Sequence, residues 1–298
     1  MADHTNPDRT RHLIQMLAPE RKTRIVDIGA NPINDNPYAG LLAVGGCEVW
    51  GFEPQAEAFA ELIARDATDE HYFNAAVGAG GSAELKICAS SGATSLLTPN
   101  PEALDFIEGW HKYFEVVETR AIETRTLDSF EDIPPFDLLK IDIQGAEVDV
   151  FQSGKTKLQD AIAVVTEVAA IPLYRDQPLM GHQMVALGDL GFFLHKFLFF
   201  KDVPLRSDHL EGLRQRRMRT QLVDGDAVFI RDLLNIRHYE TERLKHLAIL
   251  ADTVFESFDM VLYCLRFLAE RGAIKAHEAD RYIAFLPFHR DAPNAIPA

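Results

Sequence analysis

The sequence predicts an α/β fold built on a mostly parallel sheet. Strand-like and helix-like segments alternate from about residue 24 to residue 231, the pattern of strands covered by the helices that join them. Two apolar runs end alike. Residues 24–31 read RIVDIGAN and residues 138–150 read LLKIDIQGAEVDV, each a buried strand that delivers an acid and a glycine to one edge. Ribose hydroxyls and a charged tail are held at strand ends of this kind, so the pair points to a nucleotide-type cofactor.

Each element has its own local reason. Residues 25–28 form the first strand, and residues 38–44 a short helix stopped by Gly45 and Gly46. EVWGFE (residues 48–53) is the second strand, which Pro54 cannot continue. Residues 55–65 carry Ala58, Phe59, Leu62 and Ile63 at helical spacing. A third strand is expected over residues 71–77. Alternation at 83–88 and 114–126 reads as an antiparallel pair, flanking a loop at 89–99 and a helix near 101–110. Residues 136–142 are the fourth core strand, followed by a helix from Glu147 that closes near Gly154. Residues 161–167 are the fifth, 180–190 a helix, and 191–200 with 227–231 an antiparallel pair that closes the sheet. From 233 to 285 the spacing is helical throughout. The expected organisation is an N-terminal helix or arm (1–23), a central domain (24–232) and a helical C-terminal extension (233–298). An apolar stripe must be buried somewhere, and the extension has two options: docking on its own domain, or pairing into a homodimer.

Composition narrows the class. A chain of 298 residues with 47% hydrophobic and 25% charged residues is globular. A formal charge of −15 disfavours non-specific nucleic-acid binding, which rests on lysine and arginine. The three cysteines lie far apart in no metal-like spacing, as expected of reduced thiols. The first dozen residues have no apolar core of a secretory signal. The most apolar window, residues 191–200, is too short to span a bilayer. A cytoplasmic protein without membrane contact is the expectation.

The chemistry sits at the strand ends. Glu53 lies two dozen positions after Gly29, near the roughly 20-residue spacing at which an acid accepts from ribose hydroxyls. The loop after Gly29 reads Ala30-Asn31-Pro32-Ile33-Asn34 and lacks two glycines of G-x-G-x-x-G. Those glycines admit a pyrophosphate, so a nicotinamide-dependent oxidoreductase is disfavoured. An adenosine cofactor with a sulfonium and an amino-acid tail fits better, and S-adenosylmethionine meets that description. Asp142, at the fourth strand tip, is a candidate for chemistry at this rim. Glu147 opens the next helix, where a carboxylate also complements the dipole or anchors the turn. Glu167 ends the fifth strand at the same rim, ahead of Tyr174, Arg175 and Asp176, a cluster suited to a polyhydroxylated acceptor. Asp142 and Glu167 could share a divalent ion, but no spacing supports a metal site. His111 and His195 lie among aromatics, as packed histidines do. Arg214, Arg216, Arg217 and Arg219 form either a solvated face or a seat for an anionic group.

The chain resembles the FkbM-type S-adenosylmethionine-dependent methyltransferases. The resemblance rests on IVDIGAN (25–31), GFEPQAEAFAEL (51–62), NAAVG (74–78), SLLTPN (95–100), TLDSF (126–130) and LLKIDIQGAEVDV, six motifs in order, with two further segments at 166–179 and 225–232. It implies a class I methyltransferase (Rossmann-like) sheet, seven-stranded with its last strand antiparallel, carrying a helical C-terminal extension. It further implies that Asp27, Gly29 and Asn31 line the methionine end, that Glu53 with Pro54 meets the ribose, and that Asn74, Ala75 and Ala76 lie beside the adenine. Pro32 stands where many methyltransferases have a glycine, making a stiffer loop. The implied reaction is O-methylation of a sugar or secondary metabolite, with Asp142, Glu147 and Glu167 as catalytic candidates and a small-molecule or glycan acceptor as partner. A catalytically silent module that binds a partner through the C-terminal helices is the rival of a different class.

Overall fold

The computed structural model describes residues 6–32, 36–65, 67–210, 212–214 and 217–286. Helix α1 (Pro7–Leu17) comes first. Asn6 caps it by accepting from the Asp8 and Arg9 amides at 3.1 and 3.0 Å, and Pro7 stands where no N–H is needed. Strand β1 (Thr23–Ile28), helix α2 (Ala39–Ala43), β2 (Cys47–Phe52), α3 (Ala56–Ile63) and β3 (Glu70–Phe73) build one half of the sheet. An insertion follows, made of β4 (Ala76–Val77), β5 (Gly81–Cys88), α4 (Pro101–Phe106), α5 (His111–Phe114) and β6 (Val116–Arg125). The second half comprises β7 (Leu138–Ile141), α6 (Glu147–Ser153), α7 (Lys155–Leu158), β8 (Ala163–Ala169), α8 (Met180–Asp189), β9 (Phe192–Val203) and β10 (Gln221–Arg231). Helices α9 (Thr241–Thr253), α10 (Phe258–Glu270) and α11 (Ala276–Ile283) close the described chain.

The main sheet has seven strands in the order β3-β2-β1-β7-β8-β10-β9. Only β10 runs against its neighbours, so the expected antiparallel closing pair is present. The strand order reverses between β1 and β7, which opens a crevice at their carboxyl ends. Two expectations change in detail. The third strand stops at Phe73, and residues 76–77 join a separate sheet of order β4-β6-β5. Asn74 makes the break, its side chain donating to the Glu53 carbonyl at 2.9 Å instead of extending the strand. The helix expected near 101–110 divides into α4 and α5, separated by Gly109 at φ +76°. Residues 287–298 of the expected extension lie outside the described residues.

The sheet is buried on both faces, and the alternation of side chains assigns each residue to a layer. Ile25 of β1 and Leu138 of β7 pack with Leu13, Leu244, Leu247 and Leu265. Val26, Ile28, Leu139 and Ile141 pack on the opposite face with Val150, Phe151 and Leu187. The C-terminal helices thus supply a covering layer of the sheet itself and bury their apolar stripe there. Among the described residues no helix is long and apolar enough to cross a membrane.

One polar knot ties that layer together. Asp252 of α9 is fully buried, paired with the Arg9 guanidinium at 2.6 Å. Its carboxylate also accepts from Thr10 Oγ1 at 2.8 Å and from the Tyr282 hydroxyl at 2.7 Å. Helices α1, α9 and α11 therefore meet on a single carboxylate. Removing one member of a buried ion pair strands its partner, at a cost of about 3–5 kcal/mol. Asp252→Ala should lose that much stability in urea unfolding; a loss below about 1 kcal/mol would show that the pair is not a tie between helices.

Candidate active site

The crevice contains two adjoining cavities. The first is lined by Gly29, Asn31, Glu53, Pro54 and Ala75 from the predicted set, with apolar walls that include Ile28, Phe52, Val77, Leu85 and Ile122. The second, about 580 Å³, is lined by Asp142, Glu167, Asp224, Asp226 and Lys201, with Trp110, Tyr113, Phe114 and Phe199 as aromatic walls. Gly92, Lys140, Asp142 and Gln144 line both, so the cavities meet at the tip of β7.

Backbone geometry creates the meeting point. Gly29 has φ +84°, and a Cβ there would overlap the Asp142 carbonyl oxygen. Only glycine lets the chain leaving β1 pass so close to the chain leaving β7. Asp142 N donates to the Ile28 carbonyl at 3.0 Å, extending the pairing of β1 and β7 to the rim. One turn earlier in the pleat, Asp27 and Lys140 are cross-strand partners. Lys140 Nζ lies 3.2 Å from Asp27 Oδ1, and the Tyr38 hydroxyl donates to Oδ2 at 2.6 Å. Burial lowers the proton affinity of the Lys140 ammonium, but the nearby charges of Asp27 and Asp142 more than compensate and raise its pKa.

Asp27 consequently does not line either cavity. It is fully buried, on the same face of β1 as Ile25, held by Lys140 and Tyr38. Asn74 does not line them either; it positions the end of β2 through the Glu53 carbonyl. Glu53 does reach the first cavity. Its Oε1 accepts from the Gln55 amide at 2.8 Å. Burial pushes its pKa up, with the Gln55 amide opposing. Ile33 and Asn34, part of the loop expected to be stiff, lie outside the described residues.

The turn after β7 is held from below. Gln144 and Gly145 take φ of +58° and +111°. Glu147, buried and absent from both cavities, accepts from the Ile143 and Gly145 amides at 3.2 and 3.0 Å. Burial raises its pKa to about 7 against those amides, which favour the carboxylate. Ser95 Oγ donates to the Gln144 carbonyl at 2.7 Å. The geometry makes Glu147 an anchor of the turn, and the turn displays Gln144 between two acids: its Nε2 donates to Asp142 Oδ1 and to Glu167 Oε2. The buried Tyr174 hydroxyl donates to the Ala93 carbonyl at 2.8 Å and lies 3.1 Å from Gln144 Oε1. An amide nitrogen thus occupies the space between Asp142 and Glu167. Among the described residues, no group of three or more histidines, cysteines or acids is arranged to hold a metal ion.

Beyond Asp142 the acids continue along one rung of the sheet. Glu167 of β8 pairs with Asp226 of β10, and Asp224 lies two residues away on the same face. Burial first, then the neighbouring carboxylates, raise Glu167 well above the usual range. Asp226 rises to about 6 through burial and Asp142. Lys201 Nζ meets Asp224 Oδ2 at 3.0 Å. The sequence reasoning missed Lys140, Gln144, Lys201, Asp224 and Asp226. The signal for the last two was an Asp-x-Asp alternation inside an otherwise apolar strand. His111 pairs with Asp105 on the surface, and His195 with Ser257; neither lines the two cavities. Arg214, Arg217 and Arg219 are exposed, and Arg216 lies outside the described residues.

No curated protein matches the chain in sequence. Among solved structures it is similar to magnesium protoporphyrin IX methyltransferase (ChlM) from Synechocystis PCC 6803 with bound SAM, at 9% identity and a TM-score of 0.36, covering 76% of this chain and 79% of that one. It is similar also to precorrin-6y C5,15-methyltransferase from Geobacter metallireducens GS-15, at 10% identity and 0.36, covering 74% and 87%. The N-methyltransferase NodS from Bradyrhizobium japonicum WM9 follows at 9% identity and 0.34, covering 76% and 96%. Likenesses so distant say nothing about the acceptor. The sequence model of the methyltransferase FkbM domain, in contrast, matches residues 27–194, more than half of the chain. The chain belongs to the FkbM-type family of S-adenosylmethionine-dependent methyltransferases.

Proposed function

We propose that the chain transfers a methyl group to a hydroxyl oxygen of a carbohydrate or secondary-metabolite acceptor. The observation that carries this reading is the junction of the two cavities at Asp142: one is apolar with a single buried carboxylate, the other is large, acidic and aromatic. The residues present fit S-adenosylmethionine. Glu53 brings a buried carboxylate to the wall of the first cavity for ribose hydroxyls, the apolar walls suit an adenine, and Gly29 and Asn31 line the cavity beside the tip of β7. The bound cofactor supplies an electrophilic methyl on a sulfonium.

The chain's own residues do the rest. The second cavity is within the size range of small-molecule sites and orients the acceptor against the shared rim, where orientation supplies much of the rate. Asp142 accepts the hydroxyl proton as the new C–O bond forms, and the proton then leaves to solvent. Gln144 fixes the carboxylates of Asp142 and Glu167 in place, and Glu147 fixes the turn that carries Gln144. Glu167 lines the second cavity beside Asp142, in reach of the acceptor's other polar groups.

Glu53→Ala removes an acceptor of charge-assisted hydrogen bonds worth about 1.5–3 kcal/mol each. S-adenosylhomocysteine should bind at least about tenfold more weakly by calorimetry, and unchanged affinity in the folded variant would contradict the assignment. Asp142→Asn should keep that affinity while methyl transfer to a panel of hydroxylated acceptors falls about 10²-fold or more. Parallel loss of stability and turnover would instead mark Asp142 as structural. Lowering the pH protonates the raised carboxylates of the second cavity, Asp226 at about 6 among them. Turnover should therefore fall as pH drops through about 6; a rate independent of pH between about 5 and 8 would rule out a working role for these acids.

A further inference from the structure

Resting on the methyltransferase reading above, we propose that the acceptor carries a basic amine beside the hydroxyl that is methylated, held as an ammonium by Glu167, Asp224 and Asp226. In the second cavity four carboxylates face two lysines, and both lysines are already engaged. Lys140 reaches back to Asp27 at 3.2 Å, and Lys201 is bound to Asp224 Oδ2 at 3.0 Å. Asp224 is 4% exposed, and its Oδ1 has no hydrogen-bond partner among the described residues. A buried carboxylate oxygen short of a donor is costly to keep, and Asp224 stands with the half-buried Glu167 and Asp226 on one face of two paired strands. Burial first, then the charge of Asp142 and neighbouring carboxylates, keeps proton affinity high in Glu167, Asp224 and Asp226. A cation placed among them relieves that repulsion directly.

The cofactor's sulfonium does not account for this cluster. Of the four acids only Asp142 lines the first cavity; Glu167, Asp224 and Asp226 line the second alone. Trp110, Tyr113, Phe114 and Phe199 add an aromatic wall, and ring faces attract ammonium groups as well as carbon skeletons. An anionic acceptor would meet like charge, and a neutral polyol would leave the excess charge in place. An ammonium also has no lone pair, so it anchors the molecule without competing with the hydroxyl at Asp142 for the methyl group.

The test is calorimetry on the full chain saturated with S-adenosylhomocysteine. The probes are methyl glucoside and its analogues with an amine or a carboxylate in place of the primary hydroxyl. The amine analogue should bind about tenfold or more tightly than the parent glucoside, the value of one charge-assisted hydrogen bond, and the carboxylate analogue most weakly. Asp226→Asn should cut the amine preference severalfold and leave S-adenosylhomocysteine affinity unchanged, which also reports that the variant is folded. Equal affinity for amine and alcohol, or no binding of the amine analogue while S-adenosylhomocysteine binds, overturns the inference and leaves the methyltransferase reading standing. Absence of S-adenosylhomocysteine binding overturns both.

Discussion

The site depends on how closely β1 and β7 approach at the point where the strand order reverses. Gly29, in the left-handed region, lies against the Asp142 carbonyl, and Asp142 N reaches back to the Ile28 carbonyl at 3.0 Å. Behind this contact the Asp27–Lys140 pair and the Tyr38 hydroxyl clamp the two strands inside the protein. The approach puts Gly29 in the wall of the first cavity and Asp142 in the wall of both. The clamp is a buried ion pair, which adds little net stability but fixes one arrangement, because breaking it strands a charge.

The turn beyond β7 is pre-organised by a second set of contacts. A non-glycine residue at φ +58°, Gln144, costs on the order of 1–3 kcal/mol. Glu147, Ser95 and Tyr174 hold it there through backbone and side-chain hydrogen bonds. The result is an amide that arrives already bonded to two carboxylates, and such fixed dipoles need no reorganisation when charge moves nearby. The C-terminal helices matter at one remove. By covering the face that carries Ile25 and Leu138 they keep the sheet dry behind Asp27 and Lys140, where the clamp operates.

Much of this was legible in the residues. The acid–glycine junctions marked the ends of β1 and β7. Side-chain alternation along each strand separates the two core faces. The same alternation shows why Asp27 misleads. It shares a face with Ile25, so its carboxylate enters the interior, although its place before Gly29 resembles a ligand position. For Glu147, the sequence left the dipole, turn-anchoring and catalytic roles of a first-turn acid open, and the amides it binds favour the anchor. Asp224 and Asp226 were hidden by direction. Acids at the ends of parallel strands mark a rim, but β10 is antiparallel and brings its beginning there. The break at Asn74 depended on a single side-chain hydrogen bond, which no pattern of apolar residues reveals.

The most direct test of this account is the single methyl group of Gly29→Ala. It should leave secondary structure intact, because both cores are untouched, but it must push the end of β1 away from Asp142. Affinity for S-adenosylhomocysteine, measured by calorimetry, should fall at least about tenfold, and urea unfolding should show a loss on the order of 1–3 kcal/mol from the strained backbone. An alanine variant that binds and unfolds like the parent chain would contradict the claim that this strand approach organises the site.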